Sequence, residues 1–302
     1  MPALFQRLTF QWSGAFRALA GHLGRATSWM LVAAILLTQT AQGQTLSAQE
    51  AARLDRIDAF IEVMGFDVML ESMVISARRA PSMLGIDEKD FGLAWVAQVD
   101  QIFAPKKLNS QARTILAETL SDDALDHAAS FYASSFGQKL VQAENAAHME
   151  SGPKSIDAGQ RIVAALVESN SPRLAYFSRL MLATGLEETA VRSVIELRVR
   201  FLTAAADAGV IDLKIRPDQL RARLMQQQTR LRTAIKLQTL ASSAYAYRDF
   251  TDDEILAYAK ELETPQMRGV YELLNAIQYE LAAERYEEIA RRLADLQPAQ
   301  EL

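Results

Sequence analysis

The sequence contains no cysteine, which excludes thiol nucleophiles, thiolate metal sites and disulfide staples. Histidine is almost as scarce: of three, only His127 and His148 lie beyond residue 43, leaving little for a metal site or a general base. No serine stands in a Gly-x-Ser-x-Gly elbow, and no glycine-rich phosphate loop is present. The apolar run at 29–37 has nine residues, against the about 20 that a membrane span requires. Acidic residues are missing altogether before Glu50.

That acid-free start has a pattern of its own. Arg7, Arg17 and Arg25 precede the apolar run, and Ala41 and Gly43 then supply small residues at the −3 and −1 positions before Gln44. A positive head, a short apolar middle and a small-residue exit make a secretory signal. The expectation is a signal peptide at 1–43, cut between Gly43 and Gln44, and a periplasmic or secreted protein with no transmembrane span in its mature chain. The remaining 259 residues carry 29 basic and 37 acidic side chains, a net charge of −8. Such a balance argues against nucleic acid as a partner, because that binding rests on neutralised phosphates.

Beyond the signal the periodicity is helical. Leu54, Ile57, Ile61 and Met64 recur at helix spacing behind the capping residue Ser47, until Gly65 closes the segment. Further stripes run through Met69, Leu70, Met73 and Val74, then through Phe91, Trp95, Val99 and Ile102 to a break at Pro105. Ser121 caps another helix, with Asp122 and Asp123 where the helix dipole favours negative charge. The most strand-like stretch, 210–215, stands alone and has nothing to pair with. The expected class is all-α, a multi-helix bundle.

Two segments share a frame at a spacing of 130 residues. Leu120-Ser121-Asp122-Asp123 leads to Ser134-Ser135-Phe136-Gly137, and Phe250-Thr251-Asp252-Asp253 leads to Thr264-Pro265-Gln266-Met267. Thr251 and Glu254 add a capping box that Ala124 denies the first copy. Gly65 and Gly185 match in the same way at a spacing of 120, so an insertion of ten residues near 204–217 reconciles the two offsets. An internal duplication is preferred to coincidence: a first repeat at 44–152, a connection at 153–172 and a divergent second repeat at 173–302.

The stretch Phe131-Tyr132-Ala133-Ser134-Ser135-Phe136-Gly137-Gln138-Lys139-Leu140 resembles the bacterial family known as domain of unknown function 2059, over about residues 90–150. The pattern implied is an aromatic pair, a Ser-Pro type turn and Gly-Gln-Lys-Leu opening the next helix. Ser135 stands where the turn often has proline. The second copy keeps Thr264-Pro265 but has Glu261-Leu262 and Met267-Arg268 in place of the aromatics and Gly-Gln. The resemblance implies an exported helical domain and no activity.

Read from its chemistry, this motif is a helix corner. Ser134 or Ser135 caps the second helix, Gly137 permits close approach, Phe131 and Leu140 bury apolar area, and a buried Tyr132 needs a partner for its hydroxyl. The competing reading makes Tyr132, Gln138 and Lys139 a recognition surface. Elsewhere, Asp123 and His127 share a helix face but fit a polar pair better than metal ligands. Met69 and Met73 fit core packing, and Tyr245, Tyr247 and Phe250 form an aromatic patch that fits the core. Arg221, Arg223, Arg230, Arg232 and Lys236 divide between opposite faces of one helix. No catalytic residue, metal or cofactor is assigned. The functional expectation is an exported, non-catalytic helical protein that binds an envelope protein or another envelope component. The alternatives are a small-molecule or lipid carrier with a cavity between the halves and, behind it, a carboxylate-based enzyme.

Overall fold

The computed structural model of the protein describes residues 47–85, 92–150 and 152–296; the signal read at 1–43 and its cleavage point lie outside them. Among the described residues the chain is all-α, with no strand. No helix among them is long and apolar enough to cross a membrane. The first half contains α1 (Ala48–Val63), α2 (Phe66–Ala77), a 3-10 turn (Ala80–Leu84), α3 (Gly92–Ile102), α4 (Pro105–Thr119), α5 (Asp122–Ala133) and α6 (Ser135–Met149). Then come α7 (Pro153–Glu168), α8 (Arg173–Ala183), α9 (Leu186–Asp207), α10 (Pro217–Gln226), α11 (Gln228–Ala246), α12 (Asp252–Leu262) and α13 (Pro265–Leu293).

Local chemistry sets the helix ends. The Ser121 hydroxyl accepts from the Ala124 amide, and Thr251 and Glu254 close the expected capping box, with Thr251 N donating to Glu254 Oε2 at 2.8 Å. Gly65 and Gly185 turn the chain between helices with φ of 73° and 68°, a left-handed conformation that L side chains resist. The corner at Gly65 is also sterically closed, since a Cβ there would fall 2.3 Å from Asn145 Oδ1. At the other corner Asn275 Nδ2 donates to the Thr184 carbonyl at 2.9 Å.

The halves use one packing scheme. α1 meets α4 and α5, and α2 meets α4 and α6; in the same arrangement α8 meets α11 and α12, and α9 meets α11 and α13. An arginine clamp recurs with it. The Arg53 guanidinium donates to the carbonyls of Ala117 and Leu120 and pairs with Asp122 at 2.7 Å. Arg173 donates to the carbonyls of Tyr247 and Phe250 and pairs with Asp252 at 3.6 Å. The two arginines stand 120 residues apart, and all three partners 130 apart. In both halves the clamp ties the first helix to the carbonyl end of a later one, where unpaired C=O groups need donors.

The structure departs from the sequence reading in three places. The connection expected at 153–172 holds a four-turn helix, α7, because Pro153 at a first helical position starts a helix as readily as proline ends one. Gly159 lets α7 lie against α11 so closely that a Cβ would sit 2.0 Å from the Ala241 carbonyl oxygen. α9 has 22 residues where α2 has 12, so a difference in length lies ahead of most of the stretch 204–217 named for an insertion. Finally, the arginine-rich stretch is two helices, broken at Gln227, so the division of its charge between faces of a single helix does not apply.

The main core is continuous across both halves, with Trp95, Tyr132, Phe60, Phe103, Phe177 and Phe201 its largest fully buried side chains. Met64 and Met73 are buried, and Met69 and Met83 pack against this core. A separate, smaller cluster of Val191, Ile195, Val199 and Leu220 lies under α9 and α10.

Candidate functional site

The corner between α5 and α6 is built by short-range chemistry. Ser134 supplies the cap: its Oγ accepts from the Gly137 amide at 3.0 Å and donates to the Phe131 carbonyl at 2.6 Å. Gly137 then comes so near the end of α5 that a Cβ would lie 2.2 Å from the Phe131 oxygen and 2.6 Å from Tyr132 Cα. Gln138 spends its amide on the main chain, donating to Tyr132 O at 2.8 Å and to Val63 O at 2.9 Å. That second bond ties the corner to the end of α1.

Tyr132 points inward from this corner. Its hydroxyl lies 2.6 Å from that of Tyr271 and 3.2 Å from that of Tyr258, which are themselves 2.9 Å apart. Three hydroxyls, each with one proton to donate and lone pairs to accept, satisfy one another in such a triangle without a charged partner. Next to it, the Tyr247 hydroxyl donates to Glu144 Oε1 at 2.6 Å. The cluster thus draws on α5, α6, the end of α11, α12 and α13. Phe131 stacks on Tyr258 with ring centroids 6.0 Å apart, and Phe136 and Tyr132 meet Phe131 edge-on.

Burial dominates the electrostatics. It pushes the Tyr132, Tyr247 and Tyr258 hydroxyls well above the usual tyrosine range, and the neighbouring Glu144 charge adds to this. Burial also raises the Glu144 carboxyl, partly offset by hydrogen bonds from Tyr247 and Tyr258. No cation answers this carboxylate in the cluster; hydroxyl dipoles do. Such tyrosines are poor bases and nucleophiles near neutrality, so the arrangement is suited to holding helices together. A carboxylate whose folded-state pKa is raised destabilises the fold as pH climbs from the ordinary Glu value through the raised one. Glu144→Gln keeps an acceptor for Tyr247 and removes that charge. We expect the variant to be more stable than the wild type at pH 7, with the advantage shrinking as pH falls toward 4.5. Denaturant titrations across that range check it, and a variant less stable at pH 7 than at pH 5, relative to wild type, contradicts it.

Of the three residues weighed as a recognition surface, only Lys139 is exposed, while Gln138 is half-buried. Tyr132 is 0% exposed, and Gln138 is committed to two carbonyls. Lys139 itself pairs with Glu254 and lies 4.4 Å from the Phe250 ring centroid. Phe131, Ser134, Gly137 and Leu140 occupy the structural places expected of them, with Ser134 rather than Ser135 as the cap. His127 bonds Glu261 at 2.7 Å and Asp123 takes Gln266, so the two do not converge. Sequence reasoning missed Glu144, Tyr258 and Tyr271. Nothing in the local sequence around Glu144 marks it, and the two tyrosines meet Tyr132 only through the tertiary fold.

Residues 106–167 match the family model of an uncharacterized protein conserved in bacteria, DUF2059. The match runs from α4 through α7, so it contains the whole corner together with Tyr132, Gln138 and Glu144. Tyr247, Tyr258 and Tyr271 lie outside it. The tyrosine cluster is therefore where the DUF2059 segment meets the second half of the chain. No curated protein and no solved structure matches the chain.

Proposed function

We propose that the protein is exported and acts by binding a protein or another component of the cell envelope, not by catalysis. The observation that carries this reading is the use made of the polar groups at the DUF2059 corner. Gln138 serves two backbone carbonyls, Tyr132 closes a buried hydroxyl triangle, and Lys139 is held by Glu254 and Phe250. What the corner does chemically is done inside the molecule, which leaves the outer surface for recognition. Four tyrosine rings fill the junction of the halves, the place a carrier's cavity would need.

The same reading takes the halves as an internal duplication. It is supported by the recurrence of the Arg53 and Arg173 clamps, of the Gly65 and Gly185 corners, and of asparagines at 145 and 275 beside those corners.

The test combines location with contact. Recovered from the producing cell, the protein is expected outside the cytoplasm with Gln44 as its first residue by mass spectrometry. A photo-crosslinker placed at exposed Val167, Leu182 or Leu237 is expected to yield a discrete adduct with an envelope component. An unprocessed cytosolic chain overturns export, and crosslinking that returns only bare protein from all three positions overturns the binding role.

A further inference from the structure

The second half carries more than the packing scheme requires. The lengthened α9, together with α10 and the first turns of α11, forms a lobe around its own apolar cluster, with Leu213, Ile215, Leu224, Leu231 and Ile235 packed against Val191, Ile195, Val199 and Leu220. Between Arg192 and Lys236 the chain has ten Lys or Arg and four Asp or Glu. Counting Glu187 and Glu188 at the head of α9 still leaves residues 186–246, the three helices with their connections, at +4, on a chain that is otherwise strongly acidic. Three of the acids are matched inside the lobe: Glu196 by Arg221 at 2.5 Å, Asp218 by Arg216 at 2.9 Å and Asp212 by Lys214 at 3.8 Å. Arg198, Arg223, Arg230 and Lys236 are exposed, and no ion pair engages them among the described residues. Cations concentrated in one lobe of an acidic chain give it a field that orients it toward anions.

Two large apolar side chains are exposed on the same helices, Met225 on α10 at 40% and Leu237 on α11 at 59%, and Leu237 follows Arg230 by seven residues, about two turns along one face of α11. We propose that this lobe docks the protein on an anionic bilayer surface. Arg198, Arg223, Arg230 and Lys236 meet the phosphate-bearing headgroups, and Met225 and Leu237 enter the boundary between headgroups and acyl chains. The apolar pair decides between anionic occupants, because a nucleic-acid backbone or an acidic peptide gives an exposed leucine nowhere to go. This inference names the envelope component of the function proposed above and rests on that reading.

Sedimentation with vesicles tests it, using the protein as recovered from the producing cell. Vesicles are made of phosphatidylcholine alone or mixed with phosphatidylglycerol. Binding is expected to favour the mixed vesicles and to weaken with salt. A neutral variant combining Arg198→Gln, Arg223→Gln, Arg230→Gln and Lys236→Gln should bind at least about tenfold less, since each cation near such a surface contributes roughly fivefold. Leu237→Ser with Met225→Ser should bind a few-fold less while keeping the salt dependence, and both variants should keep the wild-type helicity. Any N-terminal residues that remain are common to all three proteins, so the differences report on the lobe. The proposal is overturned if the neutral variant binds mixed vesicles as the wild type does, if phosphatidylcholine alone binds equally well, or if duplex DNA or polyglutamate binds more tightly than mixed vesicles. Failure to bind by a protein found outside the cytoplasm overturns the lobe's role and leaves export standing. Lobe-dependent binding by a protein confined to the cytosol supports the lobe and overturns export.

Discussion

Gly137→Ala lowers the midpoint of thermal unfolding, whereas Gly269→Ala raises it. Both glycines lie within helices, where alanine is intrinsically better by about 1 kcal/mol. Gly269 has open space around it, so the helical preference acts alone. At Gly137 the new Cβ meets the Phe131 oxygen at 2.2 Å, Tyr132 Cα at 2.6 Å and the Tyr132 oxygen at 2.9 Å. All three are backbone atoms, which cannot swing aside as a side chain does. Relief requires α6 to move off α5, which loosens the Gln138 bonds to Tyr132 and Val63 and shifts Tyr132 in its triangle. Overpacking of this kind costs about 1–3 kcal/mol and occasionally more, and the backbone contacts place it at the upper end. For a chain of this size each kcal/mol moves the midpoint by about 2–4 °C, so a drop of roughly 6–12 °C is expected. Paired melts of the two variants followed by circular dichroism decide the matter; an unchanged or raised midpoint for Gly137→Ala would refute the closeness of this corner.

Alkaline titration unfolds the protein cooperatively. The hydroxyls of Tyr132, Tyr247, Tyr258 and Tyr271 are held above their ordinary range, mainly by burial. An acid whose folded-state pKa is raised contributes stability that is complete below the unfolded value, near 10, and is lost as pH rises toward the folded value. Each such tyrosine tilts stability by up to ~1.4 kcal/mol per pH unit in that window. Four together approach ~5 kcal/mol per unit, enough to remove the 5–15 kcal/mol of a typical fold within about one to three units. The absorbance of tyrosinate and the helical signal should therefore change together above pH 10. Smooth ionisation of all eight tyrosines with full retention of helix would contradict the cluster.

The fold class and many helix starts were legible because their causes are local. Apolar spacing identifies a helix whatever its neighbours, and Ser121, Ser134 and Thr251 cap helices through atoms three residues away. The corner at Gly137 was legible for the same reason, and so was the need of Tyr132 for a hydroxyl partner. The partners themselves were not. Tyr258 and Tyr271 follow Tyr132 by 126 and 139 residues, and no local rule connects them. Arg53 and Arg173 carry no local mark of their role, although their carbonyl and Asp partners recur at a common spacing of 130 residues. Pro153 after Gly152 reads as punctuation from sequence alone, which hides α7.

The hydroxyl triangle also bears on the order in which the chain completes itself. The first half presents Tyr132 and Glu144 to a place that only residues 247–271 can fill. A nascent chain released before that point leaves buried polar groups without partners, and contacts across such long loops form slowly because closure entropy comes first. The DUF2059 segment on its own is therefore expected to stay loosely packed, with its final consolidation waiting for the last two helices. Folding is finished from the far end of the chain, and the tyrosines are where the two ends of that process meet.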